Sequence, residues 1–126
     1  MTVESAIRAA EAILPGSPEE NDDDRWQSII AVGEFVREKP EPIWEFVQRW
    51  GNHPLEDLRD AIATVLLEHL LEHHFDVIFP RVEEAVRSDP LFAEMFCGCW
   101  KFGQSEIATN SKRFDDLQQW CSDKMI

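Results

Sequence analysis

The chain has 126 residues, 44% of them hydrophobic and 29% charged, the size and balance of one globular domain rather than of a disordered segment. Twenty-five acids against twelve bases leave a net charge of −13, a field that repels phosphate backbones and anionic lipid, and no Lys/Arg cluster offsets it locally. Nucleic acid and membrane are therefore excluded as expected partners, whereas a basic protein would be steered toward the chain by that field.

The apolar spacing is helical nearly everywhere, and no stretch alternates as a strand does. Glu4 to Leu14 carries Ala6, Ile7, Ala10 and Ile13 at helical spacing. Pro15-Gly16-Ser17-Pro18 ends that helix. Residues 15–24 then read as an acidic linker bounded by Pro and Gly, with Asp22, Asp23 and Asp24 placed before the next helix, where its N-terminal dipole favours them. That helix carries Trp26, Ile29, Ile30, Gly33 and Val36 on one face. After Glu38-Lys39-Pro40-Glu41-Pro42, a helix with Ile43, Phe46, Val47 and Trp50 as its stripe runs to Gly51.

Leu55 to His73 is the longest helix predicted. Leu58, Ala61, Ile62, Val65, Leu66 and Leu70 fill one broad face, which Ala63, Leu67 and Leu71 extend. A helix apolar over most of its circumference belongs in the middle of a protein. Phe75-Asp76 opens the following helix, with Pro80 near its first turn. Ser88-Asp89-Pro90 starts a short helix over 91–96, Gly103 to Ser111 is a polar connector, and Lys112 to Asp123 closes the chain with Phe114, Leu117, Trp120 and Cys121 inward. The expected fold is all-α, a single-domain stack of about seven helices in antiparallel hairpins, HEAT-like or an irregular bundle. An offset of 34 residues superposes Arg25 on Arg59, Val32 on Leu66 and Glu34 on Glu68, a period in the range of helix-pair repeats. Residues 56–66, with Asp57, Arg59, Ala61 and Leu66, resemble the first helix of a HEAT-type repeat. In that setting Arg59 would hold carboxylates of a neighbouring unit by forked hydrogen bonds.

A second resemblance rests on longer segments. His53-Pro54-Leu55-Glu56-Asp57-Leu58, then Phe79-Pro80-Arg81-Val82-Glu83-Glu84-Ala85, then Ser88-Asp89-Pro90-Leu91-Phe92 and Trp100 occur in that order. They resemble a small bacterial helical family of unknown function, over roughly residues 26–102, with Arg59 standing where that family usually has Leu. The resemblance implies an all-helical fold and carries no known activity or catalytic residue.

No catalytic constellation and no cofactor site emerges from the residues. His69 and His73, four apart beside Glu72, His74 and Asp76, are the candidate metal ligands, but a zinc site needs a third and usually a fourth ligand and the His-Glu-x-x-His motif is absent. Core-edge histidines held by one partner each are the expected reading. His53 beside Glu56 and Asp57 reads as a turn residue. Cys97-Gly98-Cys99 with a distant Cys121 matches neither a zinc quartet nor a C-x-x-C redox motif, and an odd count of three argues for a reducing compartment. These features, with no apolar run near the ~18–20 residues of a membrane span and no secretory leader pattern at the N-terminus, place the chain in the cytoplasm.

Trp26, Trp50, Trp100 and Trp120 fall on apolar faces and are expected to bury. Trp44, off its helix's main stripe, is the tryptophan expected on a partner-facing patch, together with Asp22, Asp23 and Asp24. The function so indicated is a non-catalytic acidic protein-interaction module, of the kind that immunity and antitoxin proteins exemplify. The alternatives are a metal-dependent enzyme or regulator built on His69 and His73, and a structural homodimer.

Overall fold

Thr2 opens the first helix by accepting a hydrogen bond from Ser5 N–H at 3.1 Å while Ser5 Oγ accepts from Thr2 N–H at 3.0 Å, which satisfies backbone donors that a helix start leaves free. From there a computed structural model describes residues 2–15 and 18–125, the side chains of 18–22 and 125 excepted. The elements in order are α1 (Val3–Ile13), α2 (Pro18–Gly33), α3 (Pro40–Trp50), α4 (Glu56–Ala61), a π-helical segment (Ile62–Leu67), α5 (Glu68–Ser88), α6 (Pro90–Cys97), a 3-10 turn (Gly103–Glu106) and α7 (Ala108–Met125). Among the described residues there is no strand, and the fold is all-α.

The expected linker over 15–24 is corrected by α2: residues 18–24 are its first turns, so the acids there lie within the positive end of the helix rather than ahead of it. Residues 16 and 17 lie outside the described residues. The closing helix also begins earlier than its apolar pattern does, at Ala108, and the polar connector before it is partly a 3-10 turn.

α4, the π segment and α5 follow one another without a loop and form the central element. Leu58, Ala61, Ile62, Ala63, Leu66, Leu67, Leu70 and Leu71 are all buried there, as the breadth of the apolar face requires. The π segment inserts an irregular turn where the apolar face is widest. At His74 the backbone leaves helical geometry, with φ −138° and ψ 40°, so the boundary anticipated between His73 and Phe75 is a kink rather than a loop. Pro80 lies inside α5, beyond its first turn.

A kink frees backbone groups that a continuous helix would pair. Gln104 takes up two of them: its Oε1 accepts from Phe75 N–H at 2.9 Å and its Nε2 donates to His73 O at 2.8 Å. On the other side, His74 Nε2 donates to Val36 O at 3.1 Å and Arg37 O at 3.0 Å, tying the kink to the turn that follows α2. Beyond the kink, Phe75 and Phe79 stack at 4.6 Å, Phe79 meets Phe96 at 6.5 Å, and Phe96 meets Phe114 at 4.9 Å. That aromatic series joins α5, α6 and α7 through the core.

Two arginines, the pair superposed by the 34-residue offset, are buried. Arg25 is 2% exposed with its guanidinium 3.7 Å from Asp57, which also accepts from Trp26 Nε1 at 3.1 Å. Arg59 is 8% exposed. It donates to His53 O at 2.8 Å, Pro54 O at 2.9 Å and Glu94 at 3.1 Å, so it clasps one carboxylate and two carbonyls.

Replacing Gln104 by Ala leaves Phe75 N–H and His73 O without partners. The expected cost is about 1–3 kcal/mol, from two hydrogen bonds to partly buried backbone groups at ~0.5–1.5 kcal/mol each, read from the urea midpoint at an unchanged m-value; a change under about 0.5 kcal/mol would show that the kink does not depend on this side chain.

Candidate functional site

The segment linking α6 to α7 lies across the central element at the kink, and its side chains are bound on nearly every side but one. Gln118 of α7 donates to Cys99 O at 3.0 Å. Lys101 Nζ reaches Ser111 Oγ at 2.8 Å and both Asp115 oxygens at 2.8 and 3.0 Å. Phe102 stacks on His69 with centroids 5.9 Å apart. Gly103 adopts φ +51°, and a Cβ there would stand 2.6 Å from Glu72 Cγ, so only glycine permits this close approach without strain. Gln104 then closes the segment on the kink.

Between these anchors Trp100 is 73% exposed and Phe102 41% exposed. Trp100, expected in the core, is thus the outermost of the chain's described tryptophans, and Trp44, expected on a partner-facing patch, is 4% exposed. The reason lies in packing. Trp44 meets Phe92 of α6 edge to face at 6.0 Å, because α3 lies against the central helices with a wider face than its stripe of Ile43, Phe46 and Val47 indicates. Trp100 belongs to no helix, so a helical periodicity had no bearing on where its ring points. Trp26, Trp50 and Trp120 are partly buried against the core. Asp23 and Asp24 are exposed on α2, and the side chain of Asp22 lies outside the described residues.

The two candidate metal ligands meet on one carboxylate. His69 Nδ1 lies 2.7 Å and His73 Nε2 3.4 Å from the same oxygen of Glu72, and both imidazoles are partly exposed. Among the described residues no group of three or more His, Cys, Asp or Glu side chains is disposed to hold a metal ion. His53 is a turn residue: its Nδ1 accepts from Leu55 N–H at 3.1 Å and its ring stacks on Trp50.

Sequence reasoning passed over Glu68. It is 4% exposed and one turn before Glu72, and the Trp100 backbone N–H is turned toward its carboxylate. Carboxylate oxygen Oε2 is buried with no hydrogen-bond partner. Burial pushes the Glu68 carboxyl above its ordinary range, against the smaller opposing pulls of Trp100 N–H and His69. The only signal in the sequence was a glutamate on the polar strip of a helix that is otherwise apolar. Surface grooves lie elsewhere. One of about 490 Å³ runs between α3 and α5, with Glu41 and Arg81 paired across it at 2.7 and 3.0 Å.

A carboxyl raised in the folded state binds its proton more tightly there than in the unfolded chain. Glu68 therefore favours folding below its unfolded pKa, and that contribution is lost as pH rises through the folded value. Glu68→Gln is expected to be more stable than the parent at pH 7. The gain should fade as pH falls toward 4, near the ordinary glutamate value of ~4.3. A variant less stable than the parent at pH 7, in paired thermal melts across this range, would contradict the assignment.

Several residues that carry the family resemblance have structural tasks, in the core, in ion pairs or at a helix start. Leu58, Phe79, Val82 and Phe92 are in the core. Arg81 pairs with Glu41, Glu83 with Arg113 at 3.2 Å, and Asp89 caps α6 through Leu91 N–H while accepting from Asn52. Trp100 is the large residue of the set whose side chain faces solvent. No curated protein and no solved structure matches the chain. A family model described as a family of unknown function (DUF6869) matches residues 15–116, most of the chain, and the protein belongs to that family.

Proposed function

We propose that the protein is a non-catalytic, cytoplasmic interaction module that binds a basic protein partner through the Trp100–Phe102 segment, in the manner of an immunity or antitoxin protein. The observation that carries this reading is the exposed Trp100 on an anchored segment. A large aromatic ring that is already positioned loses little conformational entropy on binding, and such residues dominate the energetics of protein interfaces. Phe102 stacks on His69 and is followed by Gly103, which lies against Glu72, with Glu106 exposed four residues beyond Phe102. This juxtaposition of aromatic face and carboxylate suits the stems and charges of Lys and Arg. The net charge of −13 would accelerate encounter with a basic partner, and Asp23 and Asp24 add to that field at a distance. Three free cysteines accord with a reducing compartment.

The test is a pull-down from source lysate with wild type and Trp100→Ala at low and moderate salt, followed by titration of the recovered partner. Trp100→Ala should fold with an unchanged melting temperature and lose about 30-fold or more in affinity, the ~2 kcal/mol of an interface hot spot. Wild-type affinity should fall with added salt. Equal capture by the two proteins, or salt-independent affinity for a recovered partner, would overturn the reading.

A further inference from the structure

α7 brings Cys121 back to Cys97, far from it in sequence. Cys121 and Cys97 lie close enough for each thiol to perturb the other's ionisation, and Gln118, one turn earlier on α7, donates to Phe96 O at 3.4 Å and Cys99 O at 3.0 Å on either side of Cys97. The two helices are thus pinned together at the position of the two thiols. All three cysteines are free. Cys99 points elsewhere: its sulfur is directed at Ala63 O and Met95 O at 3.7 and 4.0 Å, and it is buried.

We propose that Cys97 and Cys121 form an oxidation site, a dithiol that hydrogen peroxide converts to an intramolecular disulfide between α6 and α7. Cys97 is the partly exposed member, and it opens on a surface depression of about 270 Å³ shared with Glu56, Arg59, Asp60 and Glu94. Three carboxylates on that rim disfavour anionic oxidants such as glutathione disulfide and leave an uncharged hydroperoxide as the reagent that fits. The Cys97 thiolate attacks one peroxide oxygen, the O–O bond breaks, and hydroxide leaves, taking up the proton the thiol released, to give a sulfenic acid and one water. The Cys121 sulfur then attacks the Cys97 sulfur, the S–O bond breaks, and the hydroxyl departs with the Cys121 proton as a second water. Two thiols are oxidised by two electrons and one peroxide is reduced to two waters.

Burial raises the thiols of both residues above the ordinary range, Cys97 with Glu94 adding to the shift and Cys121 reaching about 12. The reaction is therefore slow at neutral pH, and its rate should rise about tenfold per pH unit there, since the thiolate is the minor form. The ring so closed contains the Trp100 segment, so oxidation ties together both helices from which that segment is strung. This site stands independently of the proposed interaction.

The experiment treats the full chain with hydrogen peroxide, blocks remaining thiols with N-ethylmaleimide in denaturant, and maps tryptic peptides without reduction. The expected product is monomeric, lighter by two hydrogens, with Cys97 linked to Cys121 and Cys99 alkylated. Its melting temperature should exceed that of the reduced protein by roughly 10 °C, the shift expected for a cross-link closing a loop of this length in a small domain. Cys99→Ser should give the same cross-link, and Cys121→Ser should instead leave a sulfenic acid at Cys97 that dimedone traps. A Cys97–Cys99 link, an intermolecular disulfide, over-oxidation of Cys97 without a cross-link, or three alkylated cysteines would each overturn the proposal.

Discussion

The kink at His74 is the constraint on which the rest of this molecule turns. A helix as apolar as the one from Leu58 to Leu71 must lie in the core, and the chain continuing from it must change direction to place Phe75 and Phe79 against α6 and α7. Breaking the helix releases an N–H and a C=O inside the protein, and each would cost roughly 1–3 kcal/mol if left bare. Gln104 answers both from a segment about thirty residues further on. Pairing the kink therefore fixes the α6–α7 connection across the central element, and the exposed aromatic residues follow from that placement.

Trp100 and Glu68 are two sides of one arrangement. The buried carboxylate carries a desolvation cost that a purely structural design would avoid, and glutamine there would satisfy the same shape. Trp100, whose backbone N–H faces that carboxylate, holds an indole largely in water, against the usual preference of such a residue for burial. Stability given up beneath a surface and apolar area left open on it are the two features that support the proposed binding role. On the opposite side of the same segment, Lys101 and Gln118 are committed to α7 and the neighbouring backbone.

The architecture was legible because helices write their packing into a period of 3.6 residues, and Ala6, Ile7 and Ala10 of α1, Ile43, Phe46 and Val47 of α3 and Leu58, Ala61, Ile62, Leu66 and Leu70 of the central element fell in the core where that period put them. The break at 74 was legible too, since His73, His74 and Phe75 separate two patterns with different apolar faces. What periodicity could not carry was anything outside a helix or anything set by a distant partner. It read Trp44 from its own helix and missed Phe92, which covers it. It read residues 15–24 from Pro, Gly and acids, though proline suits a helix start and acids suit its first turn, so the same residues built the beginning of α2. The tasks of Gln104 and Glu68, and the meeting of Cys97 with Cys121, depend on tertiary proximity that spacing along the chain does not record.

The segment bearing Trp100 is held by contacts at 99, 101, 102, 103 and 104, and its rigidity is what a preorganised surface requires. Backbone ¹⁵N relaxation across residues 98–105 tests it directly. Order parameters near ~0.85, equal to those of the flanking helices, are the result predicted; values below ~0.6 at Trp100 and Phe102 would mean a mobile loop and would contradict a preorganised surface.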